Sequence, residues 1–111
     1  MTSPGIHHSL LRIDRVTGEP PAPFERPNEK LDFWVLELPN ADKGDIASWY
    51  SRVSEILKAH APLLSQLHST DAQLALFIET AGDDPVFRLE AAFLKMLADF
   101  GISLEHHNAP E

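Results

Sequence analysis

Asp32-Phe-Trp-Val-Leu-Glu-Leu38 opens the run of patterns that decides the fold. It reads with a period of two: Trp34, Leu36 and Leu38 share one face of a strand, and Phe33 and Val35 share the other. The period then changes to 3.6 over Ile46 to Leu57. A second period-two run follows, Gln73-Leu-Ala-Leu-Phe-Ile-Glu79, and after it a short apolar stretch, Val86 to Leu89. A second helical run, Glu90 to Phe100, and a last strand pattern, Ile102 to His106, complete the order. Strand, helix, strand, strand, helix, strand is the order of a ferredoxin-like βαββαβ unit. The expected fold is therefore an α+β sandwich, with a mainly antiparallel sheet and both helices on one face.

Working outward from that run, the helix signals are physical. Ile46, Trp49, Tyr50, Val53, Ile56 and Leu57 make one apolar stripe, and Asp42 is placed to cap the free amides at its start. Pro62 suits the first turn of a further short helix carrying Leu63, Leu64 and Leu67. Gly82-Asp-Asp-Pro85 reads as a turn. Residues 86–89 read as a return strand, or as the start of a longer helix capped by Asp84. Gly101 is placed as the left-handed stop of the last helix.

Residues 1–30 differ from the rest. Gly18-Glu-Pro-Pro-Ala-Pro-Phe-Glu-Arg-Pro27 cannot be helix or interior strand, because proline lacks the amide donor. Ser9 to Val16 alternates imperfectly and reads as an edge strand. The expected organisation is an N-terminal arm or edge strand with a proline-rich loop over 1–30, an α+β domain over 31–107 and a tail over 108–111. The 111 residues suit one domain, and their 43 % hydrophobic content suits one core.

Charge bounds the partners. The four bases of residues 1–30 are matched by four acids, so the net charge of −8 rests entirely on residues 31–111. Such a surface repels a phosphate backbone and an anionic membrane, and attracts a basic protein. The same charge also serves solubility alone. No apolar run is long enough for a membrane helix, and the first residues lack the basic and apolar regions of a signal peptide. The absence of cysteine excludes disulfides and thiolate chemistry and fits a cytoplasmic setting.

No motif carries an activity. The histidines lie as His7-His8, His60, His68 and His106-His107, without the spacing of a metal site. Glu79, Asp83 and Asp84 crowd a turn but lack the alternating ligands of a calcium loop. His68-Ser-Thr-Asp71 holds triad residue types, but contiguous residues do not converge. No glycine-rich phosphate loop is present. Neither a cofactor nor a metal nor a catalytic residue is assigned. Trp49, Tyr50 and His60 are the residues that could wall a ligand pocket.

Phe33-Trp-Val-Leu-Glu-Leu38, Gln73-Leu-Ala-Leu-Phe-Ile78 and the run from Phe87 to Leu104 resemble the bacterial family catalogued as domain of unknown function forty-two seventy-nine. The resemblance covers residues 31–107. It implies an aromatic-started strand, a long helix, a second strand, and a helix ending at glycine before a short strand. It implies no functional residues. Members usually carry a strand and helix ahead of a Gly-Ile segment, whereas Gly5-Ile6 stands near the start here. A missing leading element would leave an edge or face of the sheet in need of a partner.

Three function classes follow. The first is a non-catalytic acidic interaction protein, immunity-like in neutralising or docking a basic partner. The second is a small-ligand binding or regulatory module, and the third an enzyme whose site is assembled only in space. Strand alternation sets Phe33, Val35, Ala75 and Phe77 on the face away from the helices. That face would be covered by the N-terminal arm or by the same face of a second subunit in a homodimer.

Overall fold

The computed structural model describes residues 5–16, 18–27, 32–41, 45–81 and 89–109. Seven elements appear: β1 (Gly5–Asp14), β2 (Phe33–Leu38), α1 (Ile46–Ala59), α2 (Ala61–His68), β3 (Gln73–Ala81), α3 (Ala91–Asp99) and β4 (Ile102–Ala109). The four strands form one mixed sheet in the order β2-β1-β3-β4. The pairings of β1 with β2 and with β3 are antiparallel, and that of β3 with β4 is parallel. The α+β class holds.

The expected βαββαβ order does not describe this sheet. It starts at residue 31, whereas β1 lies before that residue and occupies an interior position. The reading of residues 9–16 as an edge strand is corrected in the same way. Ile6, Ser9, Leu11 and Ile13 are all buried. The change of parity between Ile6 and Ser9 comes from a bulge between Ile6 and His8, which inserts one residue into the pairing with β3.

Strand direction explains the layering. β2, β3 and β4 run parallel to one another, because the first two are both antiparallel to β1. The chain passes from β2 over β1 to β3 through α1 and α2, then from β3 to β4 through α3. Both steps move the same way across the sheet. Crossovers between parallel strands are right-handed, so both place their helices on the same face. Burial agrees: Leu74, Leu76, Ile78 and Thr80 of β3 are buried, while Ala75, Phe77 and Glu79 are only half-buried.

The helices present the predicted stripes. Trp49, Val53 and Leu57 of α1 are buried, with Ile46, Tyr50 and Ile56 packed beside them. α2 carries Pro62 in its first turn and buries Leu64 and Leu67. α3 buries Phe93 and Leu97 against the same core. It begins at Ala91, so a helix running from Val86 is excluded; residues 82–88, including the expected turn and most of the return strand, lie outside the described residues. Asp42 also lies outside them, and Asp45, at the start of α1, makes no side-chain cap.

The proline-rich segment covers the outer edge of β2. Glu25 and Val35 exchange two backbone hydrogen bonds of 2.8 Å, and Phe24 is buried with its ring 5.6 Å from that of His60. Gly101 follows α3 with φ +71°. A Cβ there would run into the His68 ring. Gly101→Ala should cost about 1–2 kcal/mol from the left-handed backbone, and more from displacing that ring. His68→Ala in the same chain should recover only the second part, read from urea midpoints. Full recovery would mean that the backbone conformation itself costs nothing.

Candidate functional site: the open sheet face

The side of the sheet opposite the helices is built from lateral rows. Register aligns Glu37, Leu10, Phe77 and Glu105 in one row, and Val35, Arg12, Ala75 and Ser103 in the next. His8, Glu79 and His107 form a third row, and Phe33, Asp14 and Gln73 a fourth. A half-open depression of about 410 Å³ lies on this face. Leu10, Phe33, Val35 and Phe77 give it apolar walls. Arg12, Glu37, Glu105 and Pro27 complete the lining.

Each polar group here is held by a neighbour. The Arg12 guanidinium lies 4.2 Å over the Phe33 ring, and its Nε donates to Asp14 at 2.9 Å. His8 meets Glu37 at 2.9 Å, and His107 meets Glu105 at 3.3 Å. His7 lies 3.7 Å from Glu79. The Phe77 ring sits between His8 and His107, at centroid separations of 6.0 and 5.0 Å. Asp14, Glu37, Glu79 and Glu105 outnumber Arg12, so the carboxylates set an acidic rim around an apolar centre.

Phe33, Val35, Ala75 and Phe77 thus share one face, as their alternation predicts. Leu10 and Arg12, at the middle of it, were not predicted. They belong to β1, whose imperfect alternation hides them, although their period-two spacing was the signal available.

The ligand wall of Trp49, Tyr50 and His60 does not form. Trp49 is 0 % exposed, and its indole N–H donates to the Pro39 carbonyl at 2.9 Å. The Tyr50 ring packs 4.9 Å from that of Phe93, and its hydroxyl accepts from the Glu90 amide at 3.2 Å. Burial is the main cause that raises the Tyr50 pKa, so this hydroxyl stays protonated. His60 stands at the other end of α1, against Phe24. Helical spacing had put all three on one stripe, but it spread them along the helix axis.

Other candidates resolve into local structure. Ser69 Oγ donates to the Gln66 carbonyl at 2.7 Å, and Thr70 Oγ1 to that of Leu67 at 2.6 Å, so these hydroxyls finish α2 and do not form a triad. Asp83 and Asp84 lie outside the described residues. Among the described residues no group of three or more histidines and carboxylates is placed to hold a metal ion. No helix among them is long and apolar enough to cross a membrane.

On the helix side, Thr80 is 1 % exposed and donates to Asn108 Oδ1 at 2.9 Å. Its oxygen is left to accept from His106 Nε2, also at 2.9 Å. Burial, and then the neighbouring His107, lower the His106 pKa below the ordinary value. The unfolded chain therefore takes up this proton first as pH falls. The contribution to stability is complete above about 6.5 and is lost as pH falls from there through the folded value. An NMR titration of His106 should give a midpoint below 6.5. A midpoint at or above that value would mean that the ring is not held neutral.

A scan against family models, a search of curated proteins and a search of solved structures each return no match to this chain.

Proposed function

We propose that this chain is a non-catalytic acidic interaction protein that docks a basic protein partner on its open sheet face. The observation that carries the reading is the depression walled by Leu10, Phe33, Val35 and Phe77 and bordered by Glu37 and Glu105, on the face that the helices do not cover. The net charge of −8 would steer a cationic partner toward it. Packing the same face of a second copy against it would set one carboxylate excess against another. A homodimer through this face is therefore the less favoured occupant. The patterned resemblance over residues 31–107 adds no functional residue to this reading.

The small-ligand alternative draws on one observation, since about 410 Å³ lies within the range of ligand pockets. The depression is half-open, which favours a protruding protein segment.

The test uses a capped peptide of alternating lysine and phenylalanine, with an alternating glutamate and phenylalanine peptide as control. Nitrogen-15 NMR shifts should cluster at Leu10, Val35 and Phe77 with the first and be absent with the second. Affinity should fall about tenfold or more from low to high salt, mainly through the association rate. Equal binding of both peptides, or shifts confined to the helices, would overturn the reading.

A further inference from the structure

We propose that the outer edge of β4 is a self-association edge, to which β4 of a second copy adds antiparallel to make one continuous sheet. This uses the edge of the sheet, with Glu105 and His107 at the rim, and leaves the centre of the open face at Leu10 and Val35 uncovered.

The two edges of the sheet are managed differently. The outer side of β2 is engaged through the paired hydrogen bonds of Val35 with Glu25. Among the described residues, β4 pairs on one side only, with β3. It runs eight residues without proline or lysine, the residues that ordinarily blunt an edge. Leu94 and Leu104, at 42 % and 39 % exposure, are large hydrophobics left in the open, and both belong to the α3–β4 unit. Leu104 pairs with Leu76, whose side chain is buried under the helices, so it lies on the helix side of the edge. A second sheet continuing there brings a second α3 alongside the first.

A two-fold axis normal to the sheet keeps both helical layers on one side. Centred on His106, it sets Glu105 opposite the partner's His107, and His107 opposite the partner's Glu105. Glu105 and His107 already meet within one chain, at 3.3 Å. Centred one residue earlier, the axis would set Glu105 against its own copy, and directly opposed like charges destabilise a strand pair.

Sedimentation equilibrium of the full chain tests the proposal. The expected species is a dimer. Leu104→Arg should make it monomeric, while Val35→Arg, on the open face of β2 at the opposite edge of the sheet, should leave it dimeric. Glu105→Lys should weaken the dimer about tenfold or more, and adding His107→Glu should restore it, because the swap re-pairs the charges. This exchange keeps the test open if Leu104→Arg fails to fold. A full chain that stays monomeric at high concentration overturns the proposal. So does a dimer that Val35→Arg abolishes, or a double variant no tighter than Glu105→Lys alone. The peptide titration of the unsubstituted chain is read at Leu10 and Val35, on β1 and β2 away from this edge, so the two proposals fail separately.

Discussion

Removal of residues 1–28 will abolish folding. β1 lies between β2 and β3, pairing with β3 along its length and with β2 from Ser9 to Asp14. Without it, β2 loses its neighbour in the sheet and β3 gains a bare edge. The deletion also removes Ile6, Leu11, Ile13, Val16 and Phe24, all buried in the core. At about 1.5–3 kcal/mol for each buried side chain, the loss is about 7–15 kcal/mol. That equals the whole stability of an ordinary domain, about 5–15 kcal/mol. Far-ultraviolet circular dichroism and proton NMR dispersion should show an unfolded chain. A cooperative urea transition in the shortened chain would mean that β2 and β3 can close on each other without β1.

The same strand shows where sequence patterning stops. Leu74, Leu76 and Ile78 alternate without a break, and β3 was legible from them. β1 was legible only as an edge strand over residues 9–16, and its interior place was not, for two reasons. The bulge between Ile6 and His8 shifts the parity of its buried positions. Its core position Ser9 is polar, and is tolerated because its hydroxyl donates to the Pro39 carbonyl at 2.8 Å. Such a donor–acceptor match depends on a residue thirty positions away. Placing that strand at the edge and outside the core unit altered the strand order, while the α+β class was unaffected. β4 was legible at Ile102 and Leu104 and then lost its pattern. Beyond Leu104 its helix-side positions are His106 and Asn108, which satisfy the buried hydroxyl of Thr80.

The candidate site divides along the same line. Phe33, Val35, Ala75 and Phe77 were legible because strand alternation alone fixes their face. Their neighbours across β1, and the histidine–carboxylate pairs that border the depression, depend on strand order. Trp49, Tyr50 and His60 were misread because helical periodicity gives a direction around the axis and no depth beneath the surface. Trp49 points into the core, where its polar atom is needed to satisfy a carbonyl.

That carbonyl makes Trp49 the single side chain whose loss should cost the most. Trp49 is fully buried between the sheet and α3, with ring centroids 5.6 Å from Tyr50 and 5.3 Å from Phe93. Trp49→Ala should cost about 3–5 kcal/mol in lost burial and residual cavity. In a small domain this approaches the whole stability. Trp49→Phe retains most of the apolar contact and gives up the hydrogen bond. Its cost should be smaller, because the Pro39 carbonyl keeps the Ser9 hydroxyl at 2.8 Å. Ser9→Ala is sheltered in the converse way, since the indole N–H still reaches that carbonyl at 2.9 Å. Only the double variant, Ser9→Ala with Trp49→Phe, strips both donors from one acceptor. Leaving a part-buried acceptor unserved costs about 1–3 kcal/mol, so the double variant should fall below the sum of the singles by about that amount. Urea midpoints at constant m-value measure all four chains. Additive costs would mean that water or another amide reaches the Pro39 carbonyl once both side chains are gone.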